Sequence, residues 1–155
     1  MDPKTTIKKN IKRRTAIVDD AVYLHNGFPM PTWVELSLID VCNRTCSFCP
    51  KSDPSVAPDT YQLMSRTLID KVHDNLLGIK YQGAIALCGY GEPLLYKDWK
   101  YLTNKLGELG GIEIVTNGDT LTKKSLTELY NSKVTRILIS LYDGPEQVVK
   151  FKNLL

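Results

Sequence analysis

The chain has 155 residues, 43% of them hydrophobic and 24% charged, which is enough apolar material for one domain with a core and too much for a disordered chain. Six basic side chains, Lys4, Lys8, Lys9, Lys12, Arg13 and Arg14, against Asp2 alone give the first 14 residues +5; the total is +3, so the rest carries −2 and is not a basic nucleic-acid binder. No apolar run approaches the roughly 20 residues that span a bilayer and no basic stretch precedes a signal-length apolar run, so a soluble, cytoplasmic protein is expected.

The basic arm lacks interleaved aromatics and reads as a solvated terminus. Residues 16–30 form an irregular lead-in containing the turn pair Asn26-Gly27, so the organisation is an arm and lead-in over 1–31 and a single domain over 32–155. From Thr32 the run Trp33-Val34-Glu35-Leu36-Ser37-Leu38-Ile39 alternates and then turns apolar, as a strand entering a covered sheet does. Directly after it come Cys42, Cys46 and Cys49, spaced C-x3-C-x2-C. Three cysteines in eight residues are poor geometry for a disulfide framework and good geometry for a metal. Closed zinc and iron–sulfur sites ordinarily take four protein ligands, so a loop offering three points to a cluster with one iron open.

Residues 52–62 read as loop, and Ser65 is placed to cap a helix whose apolar stripe is Leu68, Ile69, Val72 and Leu76, with Gly78 as its stop. His73 falls beside that stripe and is expected to be solvated; His25 carries no signal. A second strand over 84–88 ends in Cys88, read as a small core residue rather than a ligand. It runs into Gly89-Tyr90-Gly91-Glu92-Pro93, a tight turn in which Glu92 either caps the next element or faces a ligand.

A helix from near Asp98 places Trp99, Leu102, Leu106 and Leu109 on one face and stops at Gly110-Gly111. The third strand, 112–115, closes in Thr116-Asn117-Gly118. A helix over 121–130 turns Leu126, Leu129 and Tyr130 inward, the fourth strand covers 134–141 with Ser140 near its end, and Pro145 opens a fourth helix bearing Val148, Val149, Phe151 and Leu154. Strands alternating with helices across short loops mean an α/β fold with a parallel sheet and right-handed crossovers. Ligands in such sheets bind at the carboxyl ends of the strands, where all four motif-bearing loops fall.

The three-cysteine loop, with Phe48 before the last cysteine, resembles the cluster loop of radical S-adenosylmethionine (SAM) enzymes. The resemblance implies a partial (β/α) barrel of that type, a [4Fe–4S] cluster on Cys42, Cys46 and Cys49, and SAM chelated to the open iron. It assigns cofactor contacts to Phe48 near the adenine, to Gly89, Tyr90, Gly91, Glu92 and Pro93 around the SAM ammonium, and to Thr116, Asn117 and Ser140; for the last three, plain turn chemistry and backbone satisfaction are the competing readings. The implied function is an oxidoreductase-type radical enzyme that cleaves SAM reductively to a 5′-deoxyadenosyl radical, which takes hydrogen from a peptide or small molecule, with an electron donor as partner. Competing classes are a structural or electron-transfer iron–sulfur or zinc module, and a SAM-binding chain without turnover. The family barrel has six βα units and about four are present, so the chain is expected to be an incomplete core whose open sheet edge favours self-association.

Overall fold

The computed structural model describes residues 24–154 together with residues 8, 9, 11 and 12. Apart from those four positions, the basic arm and residues 16–23 of the lead-in lie outside the described residues. The described end of the lead-in is ordered rather than irregular. Strands β1 (Leu24–His25) and β2 (Phe28–Pro29) pair antiparallel around Asn26 and Gly27, both at positive φ (53° and 82°) as a tight hairpin turn requires. Arms of two residues are too short to show alternation, so only the turn pair was visible in sequence.

Four strands, β3 (Trp33–Leu36), β4 (Ala84–Leu87), β5 (Ile112–Thr116) and β6 (Val134–Ile139), form one parallel sheet in that order. Helices α1 (Arg66–Gly78), α2 (Trp99–Leu106) and α3 (Lys123–Tyr130) connect them, and α4 (Pro145–Leu154) follows β6. The period of two in the strands divides the sheet into unlike faces. Leu36, Ile85, Leu87, Ile112 and Ile114 lie on one face and join Ile69, Leu76, Leu102, Leu106, Leu129 and Phe151 of the helices in a single buried core. On the other face the register aligns Glu35, Ala86, Glu113 and Arg136 in a row across all four strands, with Arg136 Nη1 donating to Glu113 Oε2 at 2.8 Å. The buried core is therefore on one side, and the second face carries this charged row with the pair Val115 and Leu138 beside it.

Several inward and outward assignments change. His73 is not solvated but 6% exposed, with Nδ1 2.9 Å from Asp74 and Nε2 3.7 Å from Glu108. The spacing of Ile69, His73 and Leu76 puts all three on the buried stripe, while Leu68 turns out to solvent. In α4 the inward pair is Gln147 and Phe151, four residues apart, and Val148 and Val149 are exposed. Tyr130, expected inward, is 86% exposed because Leu129 occupies the core-facing position of α3. The fourth strand stops at Ile139, so Ser140 and Leu141 belong to the loop after β6.

At the start of α1, Ser65 accepts a hydrogen bond from Leu68 N at 3.2 Å, as its position predicts. Ser65→Ala is expected to lower the unfolding free energy by about 1 kcal/mol, read as a lower urea midpoint at unchanged m-value. Strands β3 and β6 are the two edges of the four-stranded sheet, and a groove of about 640 Å³ lies beside β6, lined among others by Leu126, Tyr130, Val134, Ile137 and Leu154. Among the described residues, no helix is long and apolar enough to cross a membrane.

Candidate active site

The loop after β3 carries Cys42, Cys46 and Cys49, all free thiols and all half-buried. Backbone bonds fold it into successive turns, Cys49 N to Cys46 O and Ser52 N to Cys49 O, both 2.9 Å. Its entry is fixed by Asp40, whose Oδ2 accepts from Thr60 N (2.6 Å) and Thr60 Oγ1 (2.5 Å). The Thr60 hydroxyl holds that carboxyl below its usual range. Its exit is fixed by the buried Lys51, ion-paired to Asp59. Residues 50–62 are thus fastened back along the cysteine loop at both ends.

The loop after β4 lies directly on this segment. Glu92 N donates to Val41 O at 3.0 Å, and a side-chain carbon on Gly91 would fall inside the Ile39 carbonyl group, 2.7 Å from its carbon and 3.0 Å from Val41 O. Only glycine permits so close an approach of two backbones. Gly89 stands at φ 128° against Ser37, a conformation that favours glycine. Tyr90 between them is exposed, and Pro93 is buried as the first residue of a short 3-10 turn, Pro93–Leu95.

Glu92 caps that turn and also crosses to the next loop. Its carboxylate is 3% exposed: Oε1 accepts from Leu94 N (3.1 Å) and Thr116 Oγ1 (2.6 Å), and Oε2 from Asn117 N (2.9 Å). Two carboxylate oxygens offer about four acceptor positions. Three are used, and one on Oε2 is left for another donor.

Asn117 is the hub of the loop after β5. Its Nδ2 donates to Asn43 Oδ1 at 2.8 Å and lies 3.9 Å from Cys42 Sγ, and its Oδ1 accepts from Asp119 N at 2.9 Å. Ser140, after β6, donates its backbone N–H to Thr116 O at 2.8 Å, which ties the last two loops together. From the same β6 loop Tyr142 meets Phe48, ring centroids 5.0 Å apart and tilted by 58°, and both rings are largely exposed. Phe48 is thus a surface aromatic at the mouth.

Arg44, Asp119 and Asp143 were not singled out by the sequence. Arg44, inside the cysteine loop, donates Nε to Asp119 Oδ2 (2.5 Å) and Nη2 to Asp119 Oδ1 (2.7 Å). It also donates Nη1 to Asp143 Oδ1 (2.9 Å) and Nη2 to Asp143 Oδ2 (2.6 Å). These partners are 75 and 99 residues away, a separation at which no local pattern in the sequence marks them. The pairing raises the guanidinium pKa further and holds Asp119 below the usual carboxylate range.

Electrostatically the first cysteine of the loop is not preset as a bare thiolate. Burial pushes the Cys42 thiol up, opposed by the Arg44 backbone N–H and reinforced by the negative charge of Glu92 and the other two sulfurs. Cys88 is a separate matter: half-buried beside Glu35, it is pushed up to about 11, chiefly by burial. It stays a neutral thiol just past β4, but not in the core as expected: alternation from Ile85 and Leu87 puts it on the opposite sheet face, beside Glu35.

Among the described residues, no three or more His, Cys, Asp or Glu side chains converge on a single metal-ion position. A cubane cluster does not ask for that, since each thiolate takes a different iron. Three thiols spread around one loop, with no fourth beside them, suit such a cluster better than a lone tetrahedral ion. The family model of the radical SAM superfamily matches residues 36–153, which spans β3 to α4 and every loop just described. The chain belongs to the radical SAM superfamily. Enzymes of this superfamily use a [4Fe–4S] cluster and SAM.

Other likenesses agree with the family. The chain is 30% identical over 124 residues to the S-adenosyl-L-methionine-dependent 2-deoxy-scyllo-inosamine dehydrogenase of Niallia circulans, covering 78% of this chain and 48% of that one. It is 36% identical over 120 residues to a GTP 3′,8-cyclase of Staphylococcus aureus, covering 70% and 33%. Among solved structures, BtrN in complex with AdoMet and 2-DOIA superposes with a TM-score of 0.71 at 27% identity, over 81% of this chain and 50% of that one. The chain therefore spans a third to a half of the length of these curated relatives, and its four βα units are a partial radical SAM barrel.

Proposed function

We propose that residues 32–155 are the cofactor-binding portion of a radical SAM enzyme's core, in which Cys42, Cys46 and Cys49 hold three irons of a [4Fe–4S] cluster and leave the fourth to SAM. The observation that carries this reading is the convergence of the other three strand-end loops on the cysteine loop, through Glu92 N to Val41 O, Asn117 to Asn43, and Arg44 to Asp143. The chemistry the bound group supplies is one-electron reduction of the SAM sulfonium, giving methionine and the 5′-deoxyadenosyl radical that takes a hydrogen atom from substrate.

The chain's own residues supply position. Glu92, with its last acceptor place on Oε2, receives the SAM ammonium in a charge-assisted hydrogen bond. Gly89 and Gly91 keep that wall free of side chains, and the exposed Phe48 ring offers a face for the adenine. Asn117 and Ser140 complete the far side, and Thr116, buried with its hydroxyl on Glu92 Oε1, acts through that carboxylate. The substrate is a peptide or small molecule, and the electron comes from an external one-electron donor. The two named relatives act on unlike small molecules, an inosamine and GTP, so the shared part is the SAM half of the site. A reducing, cytoplasmic setting suits three free thiols and the cluster.

The test is anaerobic reconstitution with iron and sulfide, then SAM and dithionite, with 5′-deoxyadenosine measured by chromatography. The parent is expected to form it and Cys46→Ala to form none. A parent that neither retains iron nor binds SAM overturns the reading.

A further inference from the structure

We infer that Arg44 is a positioning residue, a clasp that holds the cysteine loop in its cluster-accepting shape before any cluster is present. The inference rests on the reading of Cys42, Cys46 and Cys49 as the cluster loop, but its central measurement does not. A stretch with no helix or strand of its own has a large conformational entropy, roughly 1–2 kcal/mol per residue at 25 °C, to be lost whenever it is ordered. Residues 40–49 form no regular element beyond turns. Something other than a backbone ladder must hold them.

The guanidinium supplies that hold from within the loop, two residues from Cys42 and two from Cys46. It forks to two carboxylates, each held by both oxygens, and the two belong to different loops, those after β5 and β6. The Arg44 side chain is 17% exposed and Asp119 29%, whereas Asp143 is half exposed, so the Asp119 side of the fork is the more shielded, and what sets it apart from an isolated surface pair is that one guanidinium joins two carboxylates in a four-bond network. Each carboxylate is itself oriented. Asp143 accepts from Gln147 Nε2 at 3.2 Å, and the Gln147 amide oxygen accepts from Tyr142 N and Asp143 N, so buried Gln147 of α4 fixes the whole β6 loop. Asp119 is backed by Lys150 of α4 at 3.9 Å and by its own N–H on Asn117 Oδ1. Two cations against two anions leave the clasp neutral. Charge therefore does not oppose the arrival of a negative cluster, and the Phe48 to Tyr142 ring contact joins the cysteine loop to the β6 loop at a second point.

The planar fork matters as well as the charge. Lysine can satisfy one carboxylate as a point charge but cannot reproduce four bonds in one plane. Arg44→Lys should therefore fall between the parent and Arg44→Ala.

The experiment compares the metal-free parent with Arg44→Ala, Arg44→Lys and Asp143→Asn by hydrogen–deuterium exchange of residues 41–49, with exchange of β4 and β5 as the internal measure of global stability. Exchange in the cysteine loop is expected to accelerate about tenfold in Arg44→Ala, the equivalent of losing part of a four-bond charged network. It should rise less in Arg44→Lys and Asp143→Asn, with β4 and β5 unchanged in all three. Iron and sulfide uptake, followed by absorbance, should slow in the same order. If Arg44→Ala proves too unstable to isolate, Asp143→Asn, which leaves Arg44 paired to Asp119, carries the comparison alone. Loop exchange equal to the parent in every folded variant overturns the clasp, and so does acceleration that spreads equally through β4 and β5. Fast loop exchange in a variant of a parent that takes up no iron leaves the clasp standing and sinks the cluster assignment instead.

Discussion

Gly91→Ala is expected to destabilise the protein by about 3 kcal/mol, the upper end of what overpacking costs, and to abolish iron retention by the cysteine loop. The added carbon would overlap the Ile39 carbonyl group, and what it meets is backbone on both sides, Ile39 and Val41. A flexible side chain could swing away from such an intrusion; these two peptides cannot, because Glu92 N is bonded to Val41 O and Asp40 is anchored to Thr60. The strain must then move the segment that ends at Cys42. Urea unfolding measures the first effect and iron per chain after anaerobic reconstitution the second. An unchanged midpoint with full iron content would mean that the two loops separate without loss, and the close approach would have no consequence. Gly89→Ala is the milder companion, since part of what it meets is the Ser37 side chain, although its φ of 128° also resists substitution.

What the sequence made legible was whatever rests on neighbours along the chain. Each of the four parallel strands carries its own apolar pattern, and Ser65 and Pro145 each mark a helix start by local chemistry, so these elements stand close to where the residues placed them. The three cysteines and the Gly89 to Pro93 turn are equally local. The orientation of single residues at the margins of a stripe was less legible: His73 and Leu68 exchange places because a helical face about 100° wide leaves one position on either flank to be decided by packing. Tyr130 at the end of α3 and Val148 and Val149 in α4 moved outward for the same reason.

The clasp of Arg44 was not legible at all. Its two partners come from loops two and three crossovers later, and nothing in Asn43-Arg44-Thr45 distinguishes this arginine from a solvated one until the sheet brings the loops together. The same distance explains Glu92. Sequence left open whether it caps a turn or faces a ligand, and the fold makes it a cap for Leu94 that also spans to Thr116 and Asn117, with an acceptor place to spare. A parallel sheet with short βα loops gathers such residues on one edge whatever their order in the chain.

The second large effect concerns that spare place. Glu92→Gln is expected to weaken SAM binding to the cluster-loaded protein by about tenfold to a hundredfold, since a hydrogen bond to a charged group contributes about 1.5–3 kcal/mol. The substitution keeps shape and removes charge. Its amide oxygen can still accept from Leu94 N and Thr116 Oγ1, but its NH₂ would then confront the Asn117 N–H, which leaves a buried donor without an acceptor and costs a further 1–3 kcal/mol of stability, an order-of-magnitude figure. Thr116→Val separates the two consequences: it deletes one donor to Glu92 and leaves the carboxylate charged, so stability should fall while SAM affinity is nearly kept. Calorimetric titration of SAM under anaerobic conditions, beside urea unfolding of the same samples, reads both. If Glu92→Gln and Thr116→Val lose stability alike and both bind SAM as the parent does, Glu92 is a turn cap and loop tie only, and the ammonium must be held by another group at the mouth.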